Sequence, residues 1–164
     1  MKVLWTVIPF IPFLTRLILI GFFRTLMKDI LEEEELDRDS HRNYILAMTG
    51  FSFSGLLAVT LLEATVIQGF NLTIFYLFIS FLFFLFSLNF QGYKSRRWQD
   101  QLSTAFTEIA SLSLILSIIS VLFIKKFDQT FSLVLSILAF SIWSMDHIIR
   151  LCLQSKYLFK KKER

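Results

Sequence analysis

The sequence predicts an all-α membrane protein, a bundle of four transmembrane helices preceded by an amino-terminal interfacial helix that could instead be a fifth span. Two observations predict this class. Of 164 residues, 55% are apolar and only 18% are charged, whereas a soluble domain has about 25% charged residues. The apolar residues also stand in long uninterrupted runs. This composition excludes a soluble enzyme and a disordered regulator, and the single cysteine, Cys152, excludes a disulfide scaffold.

Four runs are long enough to span a bilayer, because a helix crosses about 30 Å of hydrocarbon with roughly 20 apolar residues. They lack the two-residue alternation of barrel strands, and the short joins between them make neighbouring helices antiparallel. These spans, segments A to D, cover residues 43–68, 72–90, 102–124 and 130–153. The chain therefore divides into an amino-terminal helix (1–28), an acidic linker (29–42), the four-helix domain (43–153) and a basic tail (154–164).

The amino-terminal run holds two prolines and the basic residue Arg16. An arginine at the centre of a span costs about 2.5–3.5 kcal/mol, which the surrounding apolar residues can offset. Arg16, Arg24 and Lys28 fall within an arc of roughly 120° at 100° per residue, which favours a helix lying in the membrane interface. An interfacial or bent helix and a fifth span both remain open at this point. No small-residue cleavage site follows the run, so we expect no signal peptide.

The basic residues indicate the orientation of the spans, because Lys and Arg concentrate on the cytoplasmic side. With the start of segment A inside, ten basic residues flank the cytoplasmic ends and two, Lys125 and Lys126, flank the outer ends. We therefore expect an integral protein of a plasma or bacterial inner membrane with its carboxyl terminus in the cytoplasm. The net charge of +4 reflects contact with anionic lipids, so lipids are expected partners and nucleic acid is not.

No catalytic motif is recognisable in the sequence. There is no cysteine pair, glycine-rich phosphate loop or HExxH sequence, and the only histidines are His41 and His147. The sequence therefore predicts no enzymatic activity, cofactor or metal site.

Segments C and D carry ionisable residues within the predicted membrane, where such groups are candidates for function. Glu108 lies in segment C, and Asp146, His147 and Arg150 lie near the end of segment D. Because the two segments are antiparallel, Glu108 and Asp146 should come to a similar depth, each about 9 Å from its helix end. Two interpretations are open: a proton or cation relay, or a salt-bridged cluster that fixes helix packing. Serines 113, 117, 120, 132 and 136 of these segments are expected to bond across helices.

Segment A carries a ridge of small residues, Gly50, Ser54 and Ala58, at a spacing of four. Such a ridge lets another helix approach closely, either within the chain or in a second copy. Around a shared axis, Glu63 would form an outer carboxylate ring, while Arg38 and Arg42 would form an inner basic ring. Segment B is instead rich in Phe around its whole circumference, which predicts a peripheral helix against lipid.

The acidic run of Glu32, Glu33, Glu34 and Glu35 lies on the predicted cytoplasmic side. It is a candidate docking site for a cytosolic protein, and a solvated linker is the alternative interpretation.

The plan of the chain resembles that of Orai-type calcium channels in its four spans, its cytoplasmic termini and the basic approach to segment A. Arg42, Gly50–Phe51 and Glu63 match that plan, and the resemblance covers the architecture of residues 38–153 without a shared motif. Three functions follow as hypotheses, and the last of them is a small drug or ion antiporter with four spans; the ten-to-two distribution of basic residues argues against its dual-topology form. The first is a homo-oligomeric ion channel or pore-type effector with a cytoplasmic regulatory segment. The second is a non-conducting membrane adaptor, for example of a bacterial defence or signalling system, that recruits a cytosolic partner.

Overall fold

The structure is a computed structural model that describes residues 7–23, 35–65, 71–90, 97–124 and 128–162. Almost all of these residues are helical, and none of them lies in a strand. A 3-10 turn at Ile8–Phe10 leads into the first of five α-helices in the described chain. These are α1 (Ile11–Phe22), α2 (Glu35–Thr65), α3 (Asn71–Phe90), α4 (Arg97–Ile124) and α5 (Gln129–Lys162).

Helices α2 to α5 are long and apolar enough to cross a membrane, which confirms the predicted four-span fold class. Their apolar parts run over Asp39–Leu61, Asn71–Phe90, Trp98–Ile124 and Gln129–Ile149. Helix α2 starts eight residues before predicted segment A, and α4 starts five residues before segment C. Hydropathy identifies only the apolar part of a helix, so it does not detect the polar first turns of α2 and α4.

Local signals explain two of the helix starts. Pro9 and Pro12 lie in the first turns of the 3-10 turn and of α1, where a missing N–H costs no helical hydrogen bond. Asp128 precedes α5 and accepts a hydrogen bond at Oδ1 from the backbone N–H of Phe131 over 2.9 Å. This side-chain cap satisfies a donor that the first turn of a helix leaves without a partner.

Helix α4 lies at the centre of the bundle and packs against α3, α1 and α5. Its Ala105, Ile109 and Ala110 have no exposed surface. Two of these three side chains are single methyl groups, so neighbouring helices can approach the α4 backbone closely. Helix α2 packs mainly against α3.

The prediction that segment B is a peripheral, lipid-facing helix is wrong. Helix α3 packs tightly between α2 and α4, and its Tyr76 and Phe84 are at most 1% exposed. The buried face repeats every three or four residues and includes Thr73, Ser80 and Ser87. Phenylalanines surround the helix on all sides, so the side that packs is distinguished by these small hydroxyl residues, which fit between close helices.

Hydroxyl groups bond across the helix contacts, but few of them are the serines expected to do so. Ser52 and Ser80 join α2 to α3 with oxygens 3.0 Å apart, and Ser87 lies 2.8 Å from Ser103 between α3 and α4. Of the predicted serines, Ser120 accepts a hydrogen bond from Thr73 of α3 over 2.9 Å.

The other four serines make no cross-helix hydrogen bond within the described residues. Ser117 and Ser136 donate to carbonyls of their own helices. The buried Oγ atoms of Ser113 and Ser132 have no partner in the described chain.

The amino-terminal helix is present as a shorter apolar helix ahead of the four spans. Ile8–Phe22 rises about 22 Å at 1.5 Å per residue, less than the roughly 30 Å of a bilayer core. It runs antiparallel to α4, since Ile8 packs in the Tyr76–Leu112–Leu116 cluster and Phe23 packs against Trp98. The helix buries Pro9, Pro12, Arg16 and Phe23 and exposes Val7, Ile11, Leu14, Ile18 and Phe22. Its polar residue therefore faces the bundle, and its apolar stripe faces outward.

Candidate functional site

The side chain of Arg16 is fully buried between α1 and α4, where it forms an ion pair with Glu108. Its Nη2 donates to Glu108 Oε1 over 2.5 Å and its Nε donates to Oε2 over 3.3 Å. Its Nη1 donates to Gln101 Oε1 over 2.8 Å. Gln101 and Glu108 lie seven residues apart on α4 and so share one face of that helix. Arg16 is thus bound to acceptors of α4 and faces the bundle, whereas Arg24 and Lys28, the other two residues of the predicted basic arc, lie outside the described residues.

His147 brings α5 to the same carboxylate. Its Nδ1 lies 3.2 Å from Glu108 Oε2, a close ion contact that is not aligned as a hydrogen bond. Its Nε2 lies 3.5 Å from Thr15 Oγ1 of α1. The imidazole stacks on Trp143, one turn earlier on α5, with ring centroids 5.2 Å apart and planes 7° from parallel. Three helices therefore meet at Glu108, which is 7% exposed.

Both ring nitrogens of His147 lie near oxygen acceptors. Nδ1 lies 3.2 Å from Glu108 Oε2. The Thr15 hydroxyl, 3.5 Å from Nε2, donates its one hydrogen to the Pro12 carbonyl over 2.7 Å and so presents a lone pair to the ring.

A cleft of about 760 Å³ opens beside this cluster, between α2, α4 and α5. We call it the Glu108 cleft. Its floor on α4 includes Thr107, Glu108 and Ser111, while Tyr44 of α2 and Trp143 of α5 line its walls. Glu108 lies about 15 Å along α4 from Trp98 at 1.5 Å per residue, deeper than the 9 Å expected from the sequence. The carboxylate is therefore reachable from a cleft deep in the bundle.

Glu108 and His147, two of the four residues predicted to cluster, do meet in the structure. The backbones of Asp146 and Arg150 lie on α5, and their side chains lie outside the described part of the structure. Sequence reasoning missed Arg16 as the partner of Glu108, as well as Gln101. The available signal was a lone basic residue in one apolar run and a lone acidic residue in another, since buried charges are paired.

The small-residue ridge of α2 faces away from the other helices of the described chain. Gly50, Ser54 and Ala58 are all exposed, and a Cβ atom built at Gly50 would meet no heavy atom within 4 Å. The bundle packs on the opposite side of α2, where Ser52 is fully buried.

The pore candidates Arg38, Arg42 and Glu63 also lie on α2. Arg42 is exposed, and the side chains of Arg38 and Glu63 fall outside the described residues.

The predicted docking run is almost wholly outside the described residues. Glu32, Glu33 and Glu34 are not described, and Glu35 is described only as the first residue of α2. Within the described chain, no group of three metal-ligating side chains could hold a metal ion.

Comparison with known proteins returned no match to a family model, a curated protein or a solved structure.

Proposed function

We propose that this polytopic membrane protein is a homo-oligomeric ion channel or pore-type effector without enzymatic activity, in which α2 forms the contact between copies. One observation carries the proposal: the ridge of Gly50, Ser54 and Ala58 faces outward on a span of which only 17% is buried. In lipid there is no hydrophobic force between helices, so small residues that permit close approach mark helix contacts. No contact within the described chain uses this ridge, so a second copy is the partner that we propose.

A conducting path would lie between copies, because side chains fill the contact of α3 with α4 at the middle of one chain. Tyr76, Phe84 and Leu112 occupy the contact of α3 with α4 and are each at most 1% exposed. The distribution of basic residues supports an orientation with the Trp98 end of α4 and the carboxyl terminus on the cytoplasmic side of a plasma or bacterial inner membrane. In that orientation the acidic residues before α2 face cytosolic proteins that could regulate the assembly.

Gly50→Leu is expected to abolish the multimer, because the new side chain would hold the second copy away from the ridge. We expect the wild type to have a multimeric mass in lipid nanodiscs and to conduct ions in planar bilayers, and the variant to be a non-conducting monomer. Gly21→Leu is the matched control, since Gly21 is also a helical glycine with no heavy atom within 4 Å of a built Cβ.

Two results would contradict the proposal. One is a monomeric wild type, which would favour the non-conducting adaptor. The other is a Gly50→Leu variant that keeps the mass and conductance of the Gly21→Leu control.

A further inference from the structure

The Glu108 cleft has the size of a site for one small organic molecule. Its volume of about 760 Å³ falls within the roughly 300–1,000 Å³ of small-molecule pockets. One part is polar, around Glu108 and the hydroxyls of α4, and another part is apolar, lined by Ile115, Ala139 and Ile142. A ligand that fits both parts has a polar head and an apolar body.

The floor of the cleft presents acceptors. Ser111 donates its hydroxyl hydrogen to the Thr107 carbonyl over 2.8 Å, and Thr107 donates to the Ser103 carbonyl over 3.0 Å. Their oxygens therefore offer only lone pairs toward the cleft, as does the carboxylate of Glu108. The ligand head must supply N–H or O–H donors.

The charge of Glu108 and the aromatic rings of the cleft both favour a cationic ligand head. Among the described residues that line the cleft, Glu108 is the only Asp, Glu, Lys or Arg, and His41 and Tyr44 of α2 are the other ionisable side chains. Tyr44 and Trp143 line the walls, and the faces of aromatic rings attract cations. A primary ammonium group is the most compact head that is both a cation and an N–H donor.

The Glu108 carboxylate is already paired with Arg16, which donates to both of its oxygens. A carboxylate has about four lone-pair positions, so an ammonium group in the cleft can contact Glu108 as a further donor.

We propose that the Glu108 cleft binds a lipophilic primary ammonium compound. The ammonium group contacts Glu108, Thr107 and Ser111, and the apolar body lies toward Ile115 and Ile142. This site belongs to a single chain and does not depend on the oligomeric function proposed above.

Octylammonium is a suitable probe, measured by isothermal titration calorimetry on the full chain in detergent. We expect saturable binding of one octylammonium per chain. Heat without a saturable component would overturn the proposal.

Ser111→Leu tests the location of the site without touching the ion cluster. The leucine would fill the cleft, and we expect at least tenfold weaker binding of octylammonium. Ser136→Leu is the matched control, because Ser136 also donates to the carbonyl four residues earlier and does not line the cleft. Equal affinity of both variants would place the ligand elsewhere and overturn the proposal.

Octanol lacks the charge of octylammonium, and tetraethylammonium lacks its N–H donors. Each should bind at least tenfold more weakly than octylammonium, and an equal affinity of either would also overturn the proposal.

Discussion

Glu108→Gln is expected to lower the free energy of unfolding by about 3–5 kcal/mol, because it removes one partner of a buried ion pair and leaves a buried charge behind. Arg16 has no exposed surface, and the substitution replaces its charged acceptor with an uncharged amide. Glutamine has the shape of glutamate, so the loss reports the charge and not a change in packing.

The measurement is thermal or denaturant unfolding in detergent, followed by circular dichroism. Arg42→Gln is the control, since Arg42 is exposed on α2 and its neutralisation should change stability by less than about 1 kcal/mol. A Glu108→Gln protein as stable as the Arg42→Gln control would contradict a structural role for the ion pair and favour a site used only as a relay.

Phe84→Ala is expected to cost about 2–3 kcal/mol, because Phe84 is fully buried in a cluster with Ile45 and Ala110. Removing a phenylalanine from a core costs about 3–5 kcal/mol in soluble proteins, and part of that is transfer to water, which is absent where lipid surrounds the protein. The lost packing and the cavity remain. The effect should appear in the same unfolding measurement.

Phe78→Ala is the matched control for this substitution. Phe78 lies on the same helix but is 47% exposed, so we expect its loss to cost less than about 1 kcal/mol. If the two alanine variants lost equal stability, α3 would have no preferred packing face, as a helix surrounded by lipid would not.

The four spans could be predicted from the sequence because length and hydropathy alone decide whether a helix can cross lipid. The side of each helix that packs against its neighbours was harder to predict from the sequence. Helix α3 has phenylalanines on all sides, and its hydrophobic residues therefore do not separate the side facing α4 from the side facing lipid. In a membrane that distinction comes from small and hydroxyl residues such as Ser80 and Ser87, which hydropathy counts as weak interruptions.

The candidate site could be predicted only in part. Lone ionisable residues in apolar runs mark sites, and this argument found Glu108 and His147. It did not find Arg16 as their partner, because helical periodicity grouped Arg16 with Arg24 and Lys28 on one arc. Periodicity describes one helix at a time, whereas the ion pair depends on how α1 packs against α4, 92 residues further along the chain. The outward direction of the Gly50 ridge likewise depends on which side of α2 meets α3.

The central claim is that Arg16 of α1 and Glu108 of α4 form one buried ion pair that joins these helices. A double-mutant cycle with Arg16→Gln, Glu108→Gln and the combined variant tests it most directly. Each single variant leaves one buried charge, and the combined variant leaves neither, so we predict that the combined variant is more stable than Glu108→Gln alone, with a coupling of about 2–3 kcal/mol. Losses that simply add, with a coupling near zero, would contradict the pairing and the docking of α1 on α4.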